Sequence, residues 1–399
     1  MILRPNYLDK IKPFINVKIV KILTGIRRSG KSTILEMLKQ ELINRGIEEK
    51  NIIMKKYTSV DYSNPFSASN MYEEIKSSMC NNNKYYLLLD ELQEIDGWEK
   101  VVNTLLENHN TDIYVTGSNS KLMSSEISTY LTGRYVAIPV YTLSFKEYLA
   151  FKKNSNKSNK EHFQDYIRFG GFPLTAISNF NEEATYSVVE GIYTSVVIND
   201  IINKHKITNT DLFNRVVRFI IENVGKTFSA NSIANFLKSE KRTISTEAIY
   251  NYIEWLEKAF VIYRCNRYDL QGKNVLKTQE KFYLADQSLK YALYGFNPTS
   301  IASMMENIVY FELKRRDYEV YIGKNLDKEI DFVAKKRDEK LYIQVCRELP
   351  KDSDREIANL LEIKDHFPKI LITLDDYASG NVNGVKIINL IDFLLKEDI

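Results

Sequence analysis

Apolar and polar positions along the first 150 residues follow the pattern of buried strands joined by amphipathic helices. After the first apolar run, Ile34, Leu35, Leu38 and Leu42 recur at the spacing of one helix face. Strands that alternate with crossover helices are typical of a parallel sheet. The pattern predicts an α/β core with strands at residues 19–23, 85–89, 112–116 and 135–140.

A phosphate-binding loop is predicted between the first strand and its helix. Residues 25–33, GIRRSGKST, match every fixed position of the G-x-x-x-x-G-K-[ST] motif. Gly25 and Gly30 let backbone N–H groups approach phosphate oxygens at the helix N-terminus. We expect Lys31 to reach the β- and γ-phosphates and the Ser32 hydroxyl to complete a Mg²⁺ shell. The other predicted nucleotide-binding residues are Arg27, Arg28, Ser29 and Thr33.

Two carboxylates follow the apolar run at 85–89. Asp90 is expected to hold Mg²⁺, directly or through water, and Glu91 to polarise the water that attacks the γ-phosphate. Adjacent carboxylates after a strand are often solvated turn residues. The phosphate loop upstream makes this pair specific, and we interpret it as a Walker B element.

The strand at 112–116 ends in a polar cluster that should emerge at the same edge of the sheet. Asn119 or Ser118 is a candidate to orient the attacking water, and we favour Asn119. Helix capping is the alternative, with Ser120 as the predicted cap of the next helix.

Arg134 follows Leu131-Thr132-Gly133 on a predicted turn. A guanidinium presented in this way is suited to stabilise charge on a γ-phosphate, either of its own chain or of a neighbouring subunit. A solvated surface arginine is the alternative.

These motifs resemble those of the AAA-type P-loop ATPases of archaea and bacteria whose C-terminal half is a domain of unknown function. The resemblance covers nearly the whole chain. It implies an AAA-like core with Asn119 near sensor 1 and Arg134 as the candidate arginine finger. It rests on GIRRSGKST at 25–33, LLLDELQEIDGWE at 87–99, TGSNS at 116–120, LTGR at 131–134, LSFKEYL at 143–149 and FGGFP at 169–173.

Residues 143–202 have helical periodicity, interrupted by glycines and a proline at 170–173. This pattern predicts a helical lid over the nucleotide. Arg168 beside the break is a candidate second phosphate sensor, and a solvated helix-end arginine is the alternative.

Three shorter helices and a hairpin are predicted next, in the order of a winged helix. Ser229 is the predicted cap of the second helix, and Ser245 or Thr246 that of the third. The hairpin comprises residues 260–263 and 281–284, with its turn at 271–274. The helices are predicted at 212–223, 230–237 and 247–259.

This module has two interpretations. Basic and polar residues on or near its recognition helix are placed to meet phosphates and bases. Glutamates dilute that positive charge, and winged helices also dock proteins, so DNA contact and protein docking both stay open. The basic and polar residues are Lys238, Lys241, Arg242, Tyr250 and Asn251, and the glutamates are Glu240, Glu247 and Glu254.

The last hundred residues resemble a restriction-endonuclease-like core in the order of their elements. The prediction is helix 301–316, strands 318–322, 329–334 and 341–346, helix 352–367, strand 369–373, then a final strand and helix.

The resemblance implies a helix acid, a strand Asp and a Glu-x-Lys motif that bind Mg²⁺ and activate water in active members. Glu306 and Asp331 stand in the first two places, but the third reads Gln344-Val345-Cys346, without the lysine. We therefore expect a non-catalytic or weakly active domain, with Glu306 and Asp331 as helix-cap or surface residues. Migration of a lysine into the role is the alternative, with Lys340 and Lys314 as candidates.

Composition narrows the class of protein. The 399 residues are 44% hydrophobic and 27% charged, which is typical of a globular chain of several domains, and a net charge of +3 gives no general reason to expect nucleic-acid binding. The three cysteines lie far apart and the four histidines lack metal-ligand spacing. No apolar run is long enough to cross a membrane, and the N-terminus lacks a signal-peptide core, so we predict a soluble cytoplasmic protein without a membrane partner.

The predicted fold is an α/β P-loop AAA-like parallel sheet with a helical lid, followed by a winged helix and a restriction-endonuclease-like α/β domain. The predicted boundaries are 1–142 for the ATPase core, 143–205 for the lid, 206–298 for the winged helix and 299–399 for the nuclease-like domain.

The first functional hypothesis is a Mg²⁺-dependent ATPase whose nucleotide cycle repositions the C-terminal modules on DNA or a protein partner. Lys31, Ser32, Asp90 and Glu91 would carry hydrolysis. An ATP-gated DNA nuclease and a nucleotide-sensing interaction protein with little turnover are the alternatives. The sequence lacks an N-K-x-D base-reading motif, which favours adenine, and it leaves open a homo-oligomer in which Arg134 acts in trans.

Overall fold

A computed structural model describes residues 3–58, 66–119, 130–153, 155–349, 355–375 and 380–396. The chain divides into two compact units. The first comprises Met1–Thr142 with the short segment Lys258–Phe260, and the second comprises Leu143–Glu257 with Val261–Ile399. Over the described ranges, no helix is both long and apolar enough to cross a membrane.

The first unit is a parallel sheet with helices on both faces. Its described strands are β1 (Val20–Thr24), β2 (Ile52–Lys56), β3 (Tyr85–Asp90), β4 (Thr111–Gly117) and β5 (Tyr135–Pro139). Its described helices are α1 (Pro5–Ile11), α2 (Lys31–Asn44), α3 (Ala68–Ser77) and α4 (Trp98–Asn108). The strand order is β2-β3-β4-β1-β5, and every neighbouring pair runs parallel. The predicted parallel sheet with crossovers is confirmed.

Two apolar cores cover the opposite faces of this sheet. Leu35 and Leu38 of α2 pack with Leu88 of β3 in one core. Val102 of α4 packs with Leu89 of β3 in the other. Because successive side chains of a strand point to opposite faces, a strand covered on both sides is apolar except where a buried polar side chain has a partner. This burial holds the end of β3, and the carboxylates that follow it, in a fixed place.

A buried ion pair lies near the amino-terminal edge of the sheet. Lys21 of β1 and Asp112 of β4 are 0% and 1% exposed and bond to each other. Asp112 Oδ2 also accepts from Tyr114 Oη and from the Asn16 backbone N–H, each at 2.8 Å. Lys21 Nζ donates to the Val17 carbonyl at 2.7 Å. The pair thus ties the segment entering β1 to the neighbouring strand.

The amino-terminal part of the second unit is helical, as the periodicity predicts. Its helices are α5 (Phe145–Phe151), α6 (Asn159–Phe169), α7 (Pro173–Ile177), α8 (Glu182–Ser195), which continues as a π-helix over Val196–Asn203, α9 (Thr210–Glu222), α10 (Ala230–Ser239) and α11 (Thr246–Lys258). Ser229 caps α10 by accepting from the Ser232 N–H at 3.1 Å, and the cap of α11 is Ser245, which accepts from the Ala248 N–H at 3.1 Å.

The glycine pair that breaks the helical pattern contacts the segment around Asp286. Gly170 has φ +75°, and a Cβ there would lie 1.8 Å from Asp286 Oδ1. The Gly171 N–H donates to Asp286 Oδ2 at 2.8 Å, and Gln287 Nε2 donates to the Tyr166 carbonyl at 2.7 Å. The missing Cβ at residue 170 therefore allows the segment around Asp286 to approach the backbone, and the missing Cβ at residue 171 makes room for the Leu143 carbonyl.

A second sheet completes this unit. Its described strands are β6 (Ile262–Asp269), β7 (Asn274–Leu284), β8 (Glu319–Asn325), β9 (Lys328–Lys336), β10 (Glu339–Cys346), β11 (Lys369–Thr373), β12 (Gly380–Val382) and β13 (Val385–Asn389). The helices are α12 (Ser288–Tyr294), α13 (Ile301–Arg315), α14 (Arg355–Leu361) and α15 (Leu390–Leu395). The strand order is β12-β13-β11-β10-β9-β8-β6-β7. The predicted hairpin is present as β6 and β7, and it forms the edge of this sheet because β6 pairs in parallel with β8.

The helix predicted for residues 352–367 is shorter in the structure. Residues 352–354 lie outside the described ranges, and α14 ends at Leu361. Beyond it, the Asp365 carboxylate accepts from Lys340 Nζ at 3.0 Å and from Tyr342 Oη at 2.6 Å. These bonds from β10 hold residue 365 outside a helix, which is why the predicted end was wrong.

Candidate functional site

Residues 25–30 form a tight loop between β1 and α2. Gly25 has φ +154°, and a Cβ there would lie 2.1 Å from the Val140 carbonyl oxygen. Gly30 has φ +99° and directly precedes the first turn of α2. Only residues without a Cβ tolerate these two positions, and the loop brings successive N–H groups to the positive end of the helix.

The lysine of the motif is folded into this loop. Lys31 is 3% exposed, and its Nζ donates to the carbonyls of Gly25 at 3.0 Å and Ile26 at 3.1 Å. The same atom lies 3.7 Å from Glu91 Oε1. The two predicted motifs therefore meet at the carboxyl edge of the sheet, where Ser32 occupies the first turn of α2.

Asp90 is a carboxylate with one oxygen bonded and one available. Its Oδ1 accepts from Thr116 Oγ1 at 2.5 Å, and its buried Oδ2 has no hydrogen-bond partner among the described residues. A buried carboxylate oxygen without a donor suits a hard cation such as Mg²⁺, so the residues fit the ion that the motif implies. Thr116 Oγ1 also accepts from the Glu91 N–H at 2.9 Å, a bridging role that the sequence did not single out.

Glu91 stands in a left-handed backbone conformation, with φ +53°. Its Oε2 accepts from Gln93 Nε2 at 2.5 Å and from Ser118 Oγ at 3.0 Å. Burial alone would raise the pKa of Glu91, but the Lys31 charge and these hydrogen bonds outweigh it and hold the pKa below its ordinary value of 4.5. Glu91 is thus an ionised, oriented carboxylate beside the loop.

Of the two candidates after β4, it is Ser118 that contacts Glu91. Asn119 is buried, at 4% exposure, at the last described position of its segment. Ser120 and the helix predicted to follow it lie outside the described residues.

Arg134 lies at the amino-terminal ends of the strands, whereas the phosphate loop lies at their carboxyl ends. Its carbonyl accepts from the N–H of Val20, the first residue of β1, whereas the loop follows the last residue of that strand. At roughly 3.3 Å per residue, the five residues of β1 separate the two edges by about 16 Å. The guanidinium donates to Glu107 Oε1 at 2.7 Å and to Asn103 Oδ1 at 2.8 Å. The prediction that Arg134 reaches a γ-phosphate of its own chain is therefore wrong, and only the action in trans stays open.

The other predicted arginines have side-chain partners or lie at the surface. Arg27 Nη2 lies 3.5 Å from Glu94 Oε1, and Arg28 is exposed, with φ +65°. Arg168 Nη2 donates to Glu182 Oε1 at 2.7 Å, a contact within the second unit that fits the helix-end interpretation.

Arg4 is a residue that sequence reasoning missed. It is 2% exposed, and its guanidinium donates to the carbonyls of Ser29 at 2.8 Å and Tyr141 at 3.0 Å. It thereby joins the phosphate loop to the segment leaving β5. No motif marks it, because the partners are backbone atoms 25 and 137 positions away.

In the second unit, the predicted nuclease-like residues come together. Asp331 lies inside β9, where its Oδ2 accepts from the Val345 N–H at 2.8 Å and its N–H donates to Gln344 Oε1 at 3.1 Å. Glu306 of α13 is 3.2 Å from Lys281 Nζ, and that nitrogen is 3.9 Å from Asp331 Oδ1. The expectation of helix-cap or surface roles for these acids is wrong, because both are largely buried and paired.

Neither lysine considered for migration occupies this cluster. Lys340 bonds to Asp365, and burial lowers the pKa of Lys314 against the opposing charges of Glu319 and Asp317. Burial raises the pKa of the Cys346 thiol to about 11, so that side chain is neutral near pH 7. Lys281 from β7 supplies the ammonium instead, and no local pattern in the sequence linked it to residues 306 and 331.

Comparisons with known proteins agree with this architecture. A family model described as an AAA domain matches residues 17–149, and one described as a domain of unknown function (DUF8612) matches residues 160–300. An uncharacterized protein of Haemophilus influenzae is 39% identical over 399 residues, covering 99% of each chain. An uncharacterized protein of Methanocaldococcus jannaschii is 29% identical over 360 residues, covering 85% of this chain and 77% of that protein.

Among solved structures, a Walker-type ATPase of Pyrococcus abyssi is similar with a TM-score of 0.53, at 14% identity, over 73% of this chain and 96% of that one. At this identity the similarity concerns the fold, and it agrees with the P-loop arrangement of β1, the loop and α2. The chain therefore belongs to the same family as the Haemophilus influenzae protein, and its first unit is an AAA domain with a P-loop fold.

Proposed function

We propose that the first unit binds ATP and hydrolyses it with the help of Mg²⁺. The observation that carries the proposal is the meeting of both motifs at one sheet edge. Lys31 Nζ lies 3.7 Å from Glu91 Oε1, and Asp90, the residue before Glu91, has a buried Oδ2 without a hydrogen-bond partner among the described residues. Binding alone would not need a second acid that is oriented and ionised.

Each side chain has a distinct task in this proposal. The N–H groups of the loop and of the first turn of α2 bind the phosphates, and Lys31 exchanges its carbonyl acceptors for phosphate oxygens. Ser32 and Asp90 would hold Mg²⁺, which would supply positive charge against the β- and γ-phosphates. Glu91 orients the attacking water and accepts its proton. Asn119 stays a proposed sensor of the γ-phosphate, and Ser118 orients Glu91.

The functional test is phosphate release from ATP by the full chain, measured with Mg²⁺ and with EDTA. The expected result is Mg²⁺-dependent turnover that falls to background in Lys31→Ala. Turnover by the wild type no faster than by Lys31→Ala would instead favour a nucleotide sensor with little hydrolysis. An equal rate with GTP would contradict the preference for adenine.

The pH dependence of hydrolysis should respond to the bonds on Glu91. The ionised base is present above its pKa and lost as the pH falls through it, so the acid limb of the wild type should lie below pH 4.5. Ser118→Ala removes a hydrogen bond to the ionised carboxylate, which raises the pKa of Glu91 and should move the acid limb of the profile to higher pH. Ser118→Thr keeps the hydroxyl and should retain the wild-type limb. Coincident profiles of Ser118→Ala and the wild type would remove Ser118 from this role.

Arg134 is proposed to act on a nucleotide bound to a neighbouring copy of the chain. Arg134→Ala should then slow hydrolysis by about 10³-fold or more without loss of ATP binding. Mixing Arg134→Ala with Glu91→Gln chains should restore activity, because one mixed interface combines an intact Arg134 with an intact Glu91. Glu107→Gln is the control, since it removes only the partner of Arg134. An Arg134→Ala enzyme with wild-type turnover would contradict the proposal.

The nucleotide cycle is further proposed to reposition the second unit on a partner, with α9–α11 and the β6–β7 hairpin as a winged-helix-like docking module. Charges favour a protein partner over duplex DNA. Glu247, Tyr250 and Glu254 are exposed on α11, and Arg215 pairs with Glu240 at 2.5 Å. Acidic positions on this helix repel phosphates. Binding to duplex DNA with a steep salt dependence would overturn this preference.

A further inference from the structure

The lysine at the centre of the acidic cluster in the second unit is unusual for its burial and its partners. Lys281 of β7 is 3% exposed. Its Nζ lies 2.7 Å from Glu329 Oε1, 3.2 Å from Glu306 Oε2 and 3.9 Å from Asp331 Oδ1. Burial opposes a charge on Lys281, but the three acids outweigh it and raise the pKa of its ammonium. Lys281 is therefore a permanent cation on which three carboxylates from α13 and β9 converge.

The carboxylates outnumber their cation. Burial and the Glu306 charge raise the pKa of Asp331 well above its ordinary range, and burial raises that of Glu306, both against the opposing effect of Lys281. Protons on these acids, together with Lys281, therefore offset the negative charge of the three carboxyl groups. Tyr283 Oη adds one donor, to Glu306 Oε2 at 3.4 Å.

The position of the ammonium leaves no room for a second cation. A divalent ion holds carboxylate oxygens at about 2.0–2.6 Å, so one bound to this trio would need the space that Nζ occupies. As they are placed around Lys281, these three carboxylates are not spaced as metal ligands, and the same holds for every other group of three or more His, Cys, Asp and Glu side chains in the described part of the chain.

Solvent can nevertheless reach the cluster. A cavity of about 580 Å³ is lined by Glu329, Asp331, Gln344 and Glu356, together with Asp327 and Lys328. Gln344 Nε2 donates to Glu356 Oε2 at 2.5 Å across the wall of this cavity. A small ion therefore has an acidic entrance to the carboxylates.

We propose that Lys281 is the built-in cation of the Glu306–Glu329–Asp331 cluster, in place of a divalent metal ion. The native cluster takes up no divalent metal, and a neutral residue at 281 turns it into a divalent-metal site. The second unit therefore lacks metal-dependent phosphodiesterase chemistry at this place and keeps the cluster as an internal ion network. The inference is independent of ATP hydrolysis in the first unit.

Binding of Mn²⁺ to the full chain without nucleotide tests the proposal, measured from the loss of the electron paramagnetic resonance signal of free Mn²⁺. Lys281→Met should bind one more Mn²⁺ per chain than the wild type, because three carboxylates then face an open position. This ion should bind at least about tenfold more tightly than any Mn²⁺ at a background site. Adding Asp331→Asn to that variant should abolish the gain. Lys340→Met is the matched control: it removes a lysine of the same sheet that pairs with Asp365, and it should gain no Mn²⁺.

The wild type gives a second measurement that does not require any Lys281 variant to fold. Asp331→Asn and the wild type should bind the same amount of Mn²⁺, and loss of a bound Mn²⁺ in Asp331→Asn would overturn the proposal. If Lys281→Met is unstable, Mn²⁺ should raise its unfolding temperature. A Lys281→Met chain that neither binds Mn²⁺ nor is stabilised by it would equally overturn the proposal, because the carboxylates would then not form a cation site.

Discussion

Replacing Glu91 by glutamine should slow ATP hydrolysis by at least about a hundredfold, the usual contribution of a positioned general base, and leave ATP affinity within a few-fold of the wild type. Glutamine keeps the size of the side chain and can still accept from Ser118 and Gln93, but it cannot take a proton from water. The loop and Lys31, which bind the phosphates in our proposal, are unchanged. Single-turnover phosphate release and nucleotide binding, measured on the same preparation, separate the two effects.

Glu94→Gln is the matched control for Glu91→Gln. Glu94 lies three residues further along the chain, and its carboxylate is partly exposed and 3.5 Å from Arg27 Nη2. It makes no proposed contact with the attacking water, so its turnover should equal that of the wild type. Hydrolysis by Glu91→Gln at the wild-type rate would remove Glu91 from the mechanism.

Asp112→Ala should lower the free energy of unfolding by about 3–5 kcal/mol, the usual cost of removing one partner from a buried ion pair. Lys21 would be left at 0% exposure without its carboxylate partner, and both Tyr114 Oη and the Asn16 N–H would lose their acceptor. Urea unfolding followed by circular dichroism measures the change, as the free energy of the transition in which the first unit unfolds.

An exposed ion pair provides the comparison for Asp112→Ala. Asp9 and Lys12 form a 2.9 Å pair with side chains 62% and 40% exposed. Asp9→Ala should therefore change the free energy of unfolding by no more than about 1 kcal/mol. Equal effects of the two substitutions would show that burial does not set the strength of the Lys21–Asp112 interaction.

The sequence predicted structure and site best where the residues involved are close together along the chain. The phosphate loop is a contiguous motif, and a run of five apolar residues before Asp90 is typical of a strand buried on both faces. The alternation of strands and helices predicted the parallel sheet, and the two motifs predicted that Lys31 and Glu91 act at the same γ-phosphate. The same reasoning predicted the cap at Ser229 and gave Ser245 as one of two candidates beside Thr246, because a cap acts on N–H groups three residues away.

Residues whose partners are distant in the chain could not be found in this way. Thr116 bridges Asp90 and Glu91 from the neighbouring strand, and Arg4 binds a loop carbonyl 25 residues away. Lys281 joins Glu306 and Asp331 only because β7 lies in the same sheet as β9. Such contacts depend on strand order, which local periodicity does not determine.

The location of Arg134 relative to the phosphate loop also depends on strand pairing, which the local sequence does not reveal. Its position before β5 was predicted correctly, but which edge of the sheet it occupies follows from the parallel pairing of β5 with β1. That pairing puts the residue before β5 next to the start of β1 and away from the phosphate loop. The topology therefore decides against a role on its own nucleotide.

Equilibrium dialysis of the full chain against labelled ATP, with Mg²⁺ and with EDTA, tests the central claim most directly. The account predicts stoichiometric retention of ATP by the wild type that depends on Mg²⁺ and is lost in Lys31→Ala. Absence of Mg²⁺-dependent retention by folded wild-type protein, or equal retention by folded Lys31→Ala, would contradict it.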